Sequence, residues 1–344
     1  MAFQVTVQPS GKTFEVPEGQ FVLDAALAQN VVLPYGCKDG ACGSCKSKVM
    51  EGAIDQGPHA AGALKPAEAA QGFALLCCAK ALDNLVIEAR VIDGVGDIPL
   101  RKMPSRVASI QTVAPDVVVV RLQLPANERL QFLAGQYIEL LLRDGTRREY
   151  SMATAPHDAD QLELHIRHMP GGKFTDTVFG VTSPPVKEKS ILRIEGPMGT
   201  FFLREDSDKP IIMVASGTGF APIKAIVEHM IFKEIHRPVT LYWGGRRPHD
   251  LYCNALCEQW AADLPHFTYV PVISDALPED NWSGRTGFVH RAVVDDWPDM
   301  SGHQVYACGA PIVVNSAQDE FIASCQLPAQ EFYADSFTTE ADAA

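Results

Sequence analysis

Three of the nine cysteines in this 344-residue chain fall on one short loop, Cys37-Lys38-Asp39-Gly40-Ala41-Cys42-Gly43-Ser44-Cys45, and an adjacent pair, Cys77-Cys78, follows well downstream. The spacing is C-x4-C-x2-C with a remote fourth cysteine, the pattern that ligates a [2Fe–2S] cluster. Three thiolates on one loop grip two irons only if the backbone wraps closely, and Gly36, Gly40 and Gly43 permit this because they lack a Cβ. A structural zinc ion would usually take two short hooks, whereas here one loop supplies three ligands and a remote segment the fourth. A disulfide reading is weaker still, because nothing in the chain points to an oxidising compartment. Cys77 and Cys78 cannot easily face one metal together, so one of them is expected to pack as a small apolar residue.

The elements around this loop suit a small mixed fold. Residues 2–8 and 12–16 alternate apolar with polar about Pro9-Ser10-Gly11 and predict an antiparallel hairpin. Residues 24–30 are rich in helix formers, with Asp24 placed to start the helix. A strand at 46–50, a helical piece at 66–71 and a strand at 85–89 follow the cysteine loop. This region resembles the plant-type, β-grasp ferredoxin module of bacterial iron–sulfur flavoprotein reductases. That resemblance implies Cys37, Cys42, Cys45 and Cys77 as cluster ligands, and leaves Cys78, Cys253, Cys257, Cys308 and Cys325 as scattered reduced thiols.

Residues 94–105 carry two Gly and two Pro and are expected to be a linker. From 106 to about 203 come short alternating strands at 107–112, 117–122, 137–142, 148–153, 162–167 and 191–195, with no helices between them, which predicts a small antiparallel barrel. Within it, Arg148-Glu149-Tyr150-Ser151 resembles the R-x-Y-S flavin motif of the ferredoxin–NADP reductase superfamily. In that resemblance Arg148 neutralises a phosphate bidentately, Tyr150 offers a ring to the isoalloxazine and Ser151 hydrogen-bonds the reactive flavin nitrogen. The strand Leu164-His165-Ile166-Arg167 puts His165 and Arg167 on one face. Gly171-Gly172-Lys173-Phe174-Thr175 follows. It is a plain turn on the simplest reading, and in the family it is the segment that holds the flavin pyrophosphate near a helix start at Thr175. His168, one residue out of phase, is expected to be an exposed polar residue. Glu195-Gly196-Pro197-Met198-Gly199-Thr200-Phe201 is similar to the family's G-P-x-G segment and could equally be a structural turn.

From Lys209 onward strands and helices alternate: strands at 210–215, 239–243, 267–272 and 304–307, helices at 221–234, 251–262 and 312–325. That order implies a parallel sheet whose ligands bind at the carboxyl ends of its strands. Ser216-Gly217-Thr218-Gly219-Phe220-Ala221-Pro222 follows the first strand but departs from G-x-G-x-x-G, because Pro222 takes the third glycine position. It is similar instead to the nicotinamide-nucleotide domain of the same superfamily. The resemblance places Gly244 and Arg246 beside the nucleotide and the Cys308-Gly309 pair next to the nicotinamide ring, although a free Cys is ordinarily a small buried apolar residue. Asp275 at the third strand end favours free ribose hydroxyls, hence NADH; Arg246 and Arg247 nearby keep NADPH open. Phe337 is a family-type cover for the flavin, with core packing as the alternative.

The chain is thus expected to be a multidomain α+β and α/β protein. A β-grasp [2Fe–2S] ferredoxin domain (1–93) and a linker (94–105) precede an antiparallel FAD-binding barrel (106–206) and a parallel-sheet NAD(P)H-binding domain (207–344). The closest family patterns are the CDP-6-deoxy-Δ3,4-glucoseen reductase-like proteins, through residues 35–45 and 241–248, and the reductase components of bacterial oxygenases. They imply an NADH-dependent reductase that passes electrons through FAD and the cluster to a partner protein, an oxygenase or dehydratase component. The residues that would act catalytically are Ser151 and Cys308. A redox-sensing module without dedicated turnover is the competing reading. The net charge of −13 argues against nucleic acid as a partner. The last 30 residues hold six acidic residues and no Lys or Arg, and read as a solvated surface. With no signal-type start and no long apolar run, a cytoplasmic protein without membrane insertion is expected.

Overall fold

Period-two alternation builds the opening hairpin of the computed structural model, which describes residues 2–92, 94–96 and 98–338. Strands β1 (Ala2–Gln8) and β2 (Lys12–Pro17) pair antiparallel and turn Val5, Val7, Phe14 and Val16 into the core. Helix α1 (Val22–Ala28) buries Val22, Leu23, Ala25 and Ala26. It begins two residues before Asp24, which sits in its first turn with Phe21 at the N-cap. The carboxylate therefore meets the positive end of the helix without capping it. The cysteine loop leads into β3 (Lys46–Glu51), β4 (Ile54–Gln56) and α2 (Pro66–Ala70), where Glu68 accepts a hydrogen bond from the Lys65 backbone N–H at 2.8 Å. β5 (Phe73–Leu75), β6 (Ala79–Ala81) and β7 (Leu85–Glu88) complete a sheet of order β2-β1-β7-β3-β5 and a small β4-β6 ribbon. A mixed sheet with one helix across it is the β-grasp arrangement.

The chain divides into two compact units, the residues up to Pro99 together with the C-terminal stretch from Asp335, and Leu100–Ala334. In the second, β8 (Arg101–Ala114) starts inside the stretch expected as linker. Pro104 is tolerated there because residues 101–105 pair only with β13 (Ile191–Met198), and β9 (Val117–Gln123) joins from Arg106 onward. With β10 (Tyr137–Leu141), β11 (Arg147–Ser151) and β12 (Gln161–Arg167) the order is β11-β10-β13-β8-β9-β12. An antiparallel bridge from Met152 to Leu164, with Ala153 N–H donating to the Glu163 carbonyl at 2.8 Å, joins the two ends into a barrel. Its interior holds Val107, Val120, Leu122, Ile138, Leu162, Leu164, Ile166 and Ile194. The short helix α3 (Thr175–Val178) interrupts the strands after β12.

The last part alternates β14 (Ile211–Ser216), α4 (Phe220–Phe232), β15 (Val239–Gly245), α5 (Asn254–Asp263), β16 (Phe267–Ile273), β17 (Arg285–Thr286), α6 (Val289–Asp296), β18 (Gln304–Gly309), α7 (Pro311–Ser324) and β19 (Phe332–Ser336). The sheet order is β17-β16-β15-β14-β18-β19, and β14, β15, β16, β17 and β18 run parallel. The chain steps from β14 to β15 and β16 on one side and returns to β18 on the other, so the loops after β14 and β18 flank a topological switch point. Helix α6 and the strands β17 and β19 are elements that the periodicity does not predict. Among the described residues no helix is long and apolar enough to cross a membrane.

Candidate cofactor-binding sites

The cluster loop gathers its sulfurs by backbone hydrogen bonds. Cys37 N–H donates to Cys42 Sγ at 3.4 Å, Cys42 N–H donates to Cys37 Sγ at 3.3 Å, and Ser44 N–H also donates to Cys42 Sγ. The Cys42 thiol is lowered by its hydrogen bond from Cys37, with further help from Ser44, while that same bond and burial raise Cys37. Cys77 Sγ is hydrogen-bonded to Cys78 Sγ at 3.6 Å, and its neighbours Cys45 and Cys78 together with burial push the Cys77 thiol up. Cys37 and Cys42 thus form one mutually bonded pair, and Cys77 lies beside Cys45 and Cys78. Among the described residues no three His, Cys, Asp or Glu side chains converge on a point that would hold a single ion. Thiols spread over the loop and the remote segment in this way suit a two-iron cluster better than one tetrahedral zinc. Gly40 has φ +84°, and a Cβ there would lie 2.7 Å from Cys78 Sγ, so the wrap of the loop requires glycine.

On β11 neighbouring arginines face opposite ways, as successive residues of a strand must. Arg147 pairs with Glu139 and Glu195 across the sheet, while Arg148 is half-buried and donates from Nη1 to the Arg147 carbonyl at 2.8 Å. Tyr150 packs on the barrel core with its ring 5.6 Å from that of Phe174, and burial pushes its phenol pKa up. Ser151 is buried opposite Tyr137. In the turn after β12, Gly171 has φ +83° and Thr175 Oγ1 donates to the Met169 carbonyl at 2.9 Å. Thr175 does begin α3, and its hydroxyl fastens the turn. Lys173 is exposed and pairs with Asp144 at 3.0 Å. His168, expected to be exposed, is instead half-buried: it hydrogen-bonds Asp176 at 2.9 Å and stacks on Phe179.

Strand β12 carries the expected His165 and Arg167 together with one residue that the motif reading passed over, Glu163. Leu162, Leu164 and Ile166 fill the barrel, so Glu163, His165 and Arg167 project from the opposite face. Both ring nitrogens of His165 are committed to protein partners, Nε2 to Glu163 at 3.0 Å and Nδ1 to the Tyr252 hydroxyl at 2.9 Å. Burial lowers the His165 pKa and keeps the ring neutral. Burial alone would raise Glu163, but the His165 hydrogen bond and the charges of Lys224 and Arg121 outweigh it and hold the carboxyl at about 2. Arg167 lies 3.2 Å from Asp116 and 3.5 Å from Asp250. The unbroken polar alternation Glu163/His165/Arg167 was a visible signal for this face; the partners Lys224, Asp250 and Tyr252 come from distant sequence and carried none.

At the switch point the two expected nucleotide segments meet through their backbones. A Cβ on Gly219 would sit 2.2 Å from the Cys308 carbonyl oxygen, and one on Gly309 (φ +131°) 2.5 Å from the Ser216 carbonyl oxygen. Trp243 Nε1 donates to the Gly217 carbonyl at 3.0 Å and its ring stacks on Phe220 at 4.0 Å, so Gly217, Thr218 and Gly219 sit on a rigid aromatic floor. Cys308 is buried. Gly244 faces α6, where a Cβ would lie 2.8 Å from Val289 Cβ. Arg246 and Asp275 are both exposed and are joined by a hydrogen bond from Asp275 N–H to the Arg246 carbonyl at 3.0 Å. Arg247 is held by Asp280 through two hydrogen bonds of 2.7 and 2.6 Å. Phe337 is half-buried just past β19 and is grouped with the first unit.

Comparison with known proteins matches residues 5–82 to the 2Fe-2S iron-sulfur cluster binding domain, 104–203 to the oxidoreductase FAD-binding domain and 213–319 to the oxidoreductase NAD-binding domain. The CDP-6-deoxy-L-threo-D-glycero-4-hexulose-3-dehydrase reductase of Yersinia pseudotuberculosis is 39% identical over 98% of this chain and 99% of its own. Reductase component 1 of terephthalate 1,2-dioxygenase from Comamonas sp. is 36% identical over 98% of each chain. Among solved structures, the Amycolatopsis cytochrome P450 reductase GcoB superposes with a TM-score of 0.76 at 32% identity, covering 99% of this chain and 100% of that one. With cluster, flavin and nucleotide modules matched in order along its length, the chain belongs to the family of NAD(P)H-dependent iron–sulfur flavoprotein reductases.

Proposed function

We propose that this protein is an NADH-dependent electron-transfer reductase of the cytoplasm that serves a partner protein, a component of an oxygenase or of a deoxysugar dehydratase. When bound, the flavin exchanges electron pairs with the nicotinamide and single electrons with the cluster. Side chains then need only bind, orient and exclude water. Cys37, Cys42, Cys45 and Cys77 would hold the cluster. Arg148, Gly171, Gly172, Lys173 and Thr175 would hold the flavin phosphates. Tyr150 would cover the ring, with Phe337 as a second cover, and Ser151 would hydrogen-bond the flavin edge. His165 and Arg167 would shape the wall behind it. Gly217, Thr218, Gly219, Gly244, Arg246, Asp275, Cys308 and Gly309 would receive the dinucleotide. The domains would run 1–93, 106–206 and 207–344, and the expected linker 94–105 is cut short at Arg101, where β8 begins.

One observation carries this reading. The Arg167 guanidinium of the barrel strand lies 3.0 Å from the Cβ position of Gly217, so the flavin-side strand and the nucleotide turn are neighbours within one unit. NADH is favoured because the Asp275 carboxylate would repel a 2′-phosphate, and Arg247, neutralised by Asp280, does not offset it. The names of the relatives support both kinds of recipient, a sugar dehydrase and an aromatic-ring dioxygenase. Steady oxidation of NADH with cytochrome c as a one-electron acceptor tests the proposal. Sustained turnover supports it; a single reduction that then stalls supports the redox-sensor reading instead.

A further inference from the structure

We propose that Glu163 is a positioning residue for hydride transfer, a buried hub that sets the approach of the nucleotide turn to the flavin strand. The inference rests on the reductase reading above and adds a role that no motif assigns. A carboxylate packed against a barrel wall costs solvation free energy, and an apolar residue would serve packing alone equally well. Glu163 is 9% exposed, and its side-chain bonds reach two other elements as well as a neighbour on its own strand. Oε2 accepts from Arg121 of β9 at 2.9 Å. Oε1 accepts from His165 of the same strand at 3.0 Å and lies 3.4 Å from Lys224 Nζ of α4.

Lys224 carries the connection in both directions. Its Nζ donates to the Ala153 carbonyl at 3.2 Å, two residues past Ser151 of the flavin motif, and pairs with Glu228 at 2.9 Å. In the other direction it stands about one helical turn, roughly 6 Å, from the start of α4, which grows directly out of Gly217–Gly219. The backbone of Glu163 is fastened as well, with N–H donating to Thr154 Oγ1 at 2.6 Å and the carbonyl accepting from Ala153 N–H at 2.8 Å. His165 extends the hub to Tyr252, in the connection between β15 and α5. The flavin strand and the nucleotide turn are thus tied through one carboxylate and one ammonium by a few short bonds. Hydride transfer needs reacting atoms about 3–3.5 Å apart, and a 1 Å misplacement costs on the order of 100-fold.

The test compares Glu163→Gln, Lys224→Met, the double variant and Lys224→Arg in the full FAD- and cluster-loaded protein, by anaerobic stopped-flow reduction with NADH. Glu163→Gln is expected to slow flavin reduction at saturating NADH by about tenfold or more, with KM changed less than about threefold and FAD content unchanged. The long-wavelength absorbance of the stacked nicotinamide–flavin pair should weaken in parallel. Lys224→Met should match it, the double variant should be no slower than either single, and Lys224→Arg should recover most of the rate. A Glu163→Gln rate within about twofold of the parent, multiplicative losses in the double variant, or a loss that tracks departing FAD would each overturn the assignment. If the unsubstituted protein does not oxidise NADH, the reductase reading itself fails; if it does and Glu163→Gln is indifferent, only the positioning role fails.

Discussion

The carbonyl oxygen of Cys308 occupies the space where a side chain on Gly219 would begin, 2.2 Å from the position of its Cβ. The obstacle is backbone on an interior strand, so it cannot rotate aside. Gly219→Ala must therefore push β18 away from the nucleotide turn. It should destabilise the protein by about 2 kcal/mol or more and weaken NADH binding at the same time. A thermal melt together with KM for NADH checks both; an unchanged melting temperature and KM would show that the two loops are not packed as described.

The pairing of thiols leads to a second prediction. Cys42→Ser removes one member of the Cys37–Cys42 pair and should abolish the red-brown absorbance and the low-temperature EPR signal of the reduced cluster. Bleaching of the flavin by NADH should persist while cytochrome c reduction collapses. Gly40→Ala, strained at φ +84° and crowded against Cys78 Sγ, should lower the iron content of the purified protein without touching a ligand. Undiminished cytochrome c reduction in Cys42→Ser would remove the cluster from its place as outlet.

Coenzyme choice turns on the exposed carboxylate beside Arg246. Asp275→Ser removes a negative charge while Arg247 stays bound to Asp280. The ratio of kcat/KM for NADPH over NADH should rise about tenfold, the equivalent of ~1.4 kcal/mol of relieved repulsion. A ratio that does not move would place the adenosine ribose elsewhere.

Buried ionisable groups on β12 make stability depend on acid. His165 has its folded pKa lowered from 6.5 by burial, so the unfolded chain binds a proton there first and stability begins to fall below about pH 6.5. Glu163 is held at about 2 against 4.5 when unfolded, so its contribution is present above 4.5 and is lost as pH falls toward 2. At most this second window is worth about 3 kcal/mol. Urea unfolding from pH 7 to 3 should show both declines in the parent. Glu163→Gln should be less stable at pH 7 and flatter below pH 4.5; an equally steep acid limb in that variant would assign the loss to other groups.

What the sequence revealed followed the physics of each signal. Cysteine spacing and glycine placement are local, so the cluster loop was legible down to its fold class. The alternation on β1 and β2 likewise matched the strands that formed, because half-buried strands write their register into the chain. The start of β8 was not legible, since Pro104 argues against a central strand until one knows that its neighbour on one side begins only at Arg106. The hub at Glu163 was legible only in part. Its strand periodicity was visible, but Lys224 and Tyr252 reach it from 61 and 89 positions away, and no local pattern encodes such a meeting. His168 was misplaced for a similar reason: its partner Asp176 lies beyond a turn whose closure depends on Thr175.

Anaerobic titration of the purified protein with NADH, followed by visible absorption and EPR, tests the central claim most directly. A reductase carrying one FAD and one [2Fe–2S] cluster should take up three electrons per chain, about 1.5 equivalents of NADH. The flavin absorbance should bleach together with the cluster absorbance as the reduced-cluster EPR signal grows. Uptake that ends at about one equivalent with the cluster still oxidised, even at a large excess of NADH, would contradict an account in which electrons pass through this chain from nucleotide to cluster.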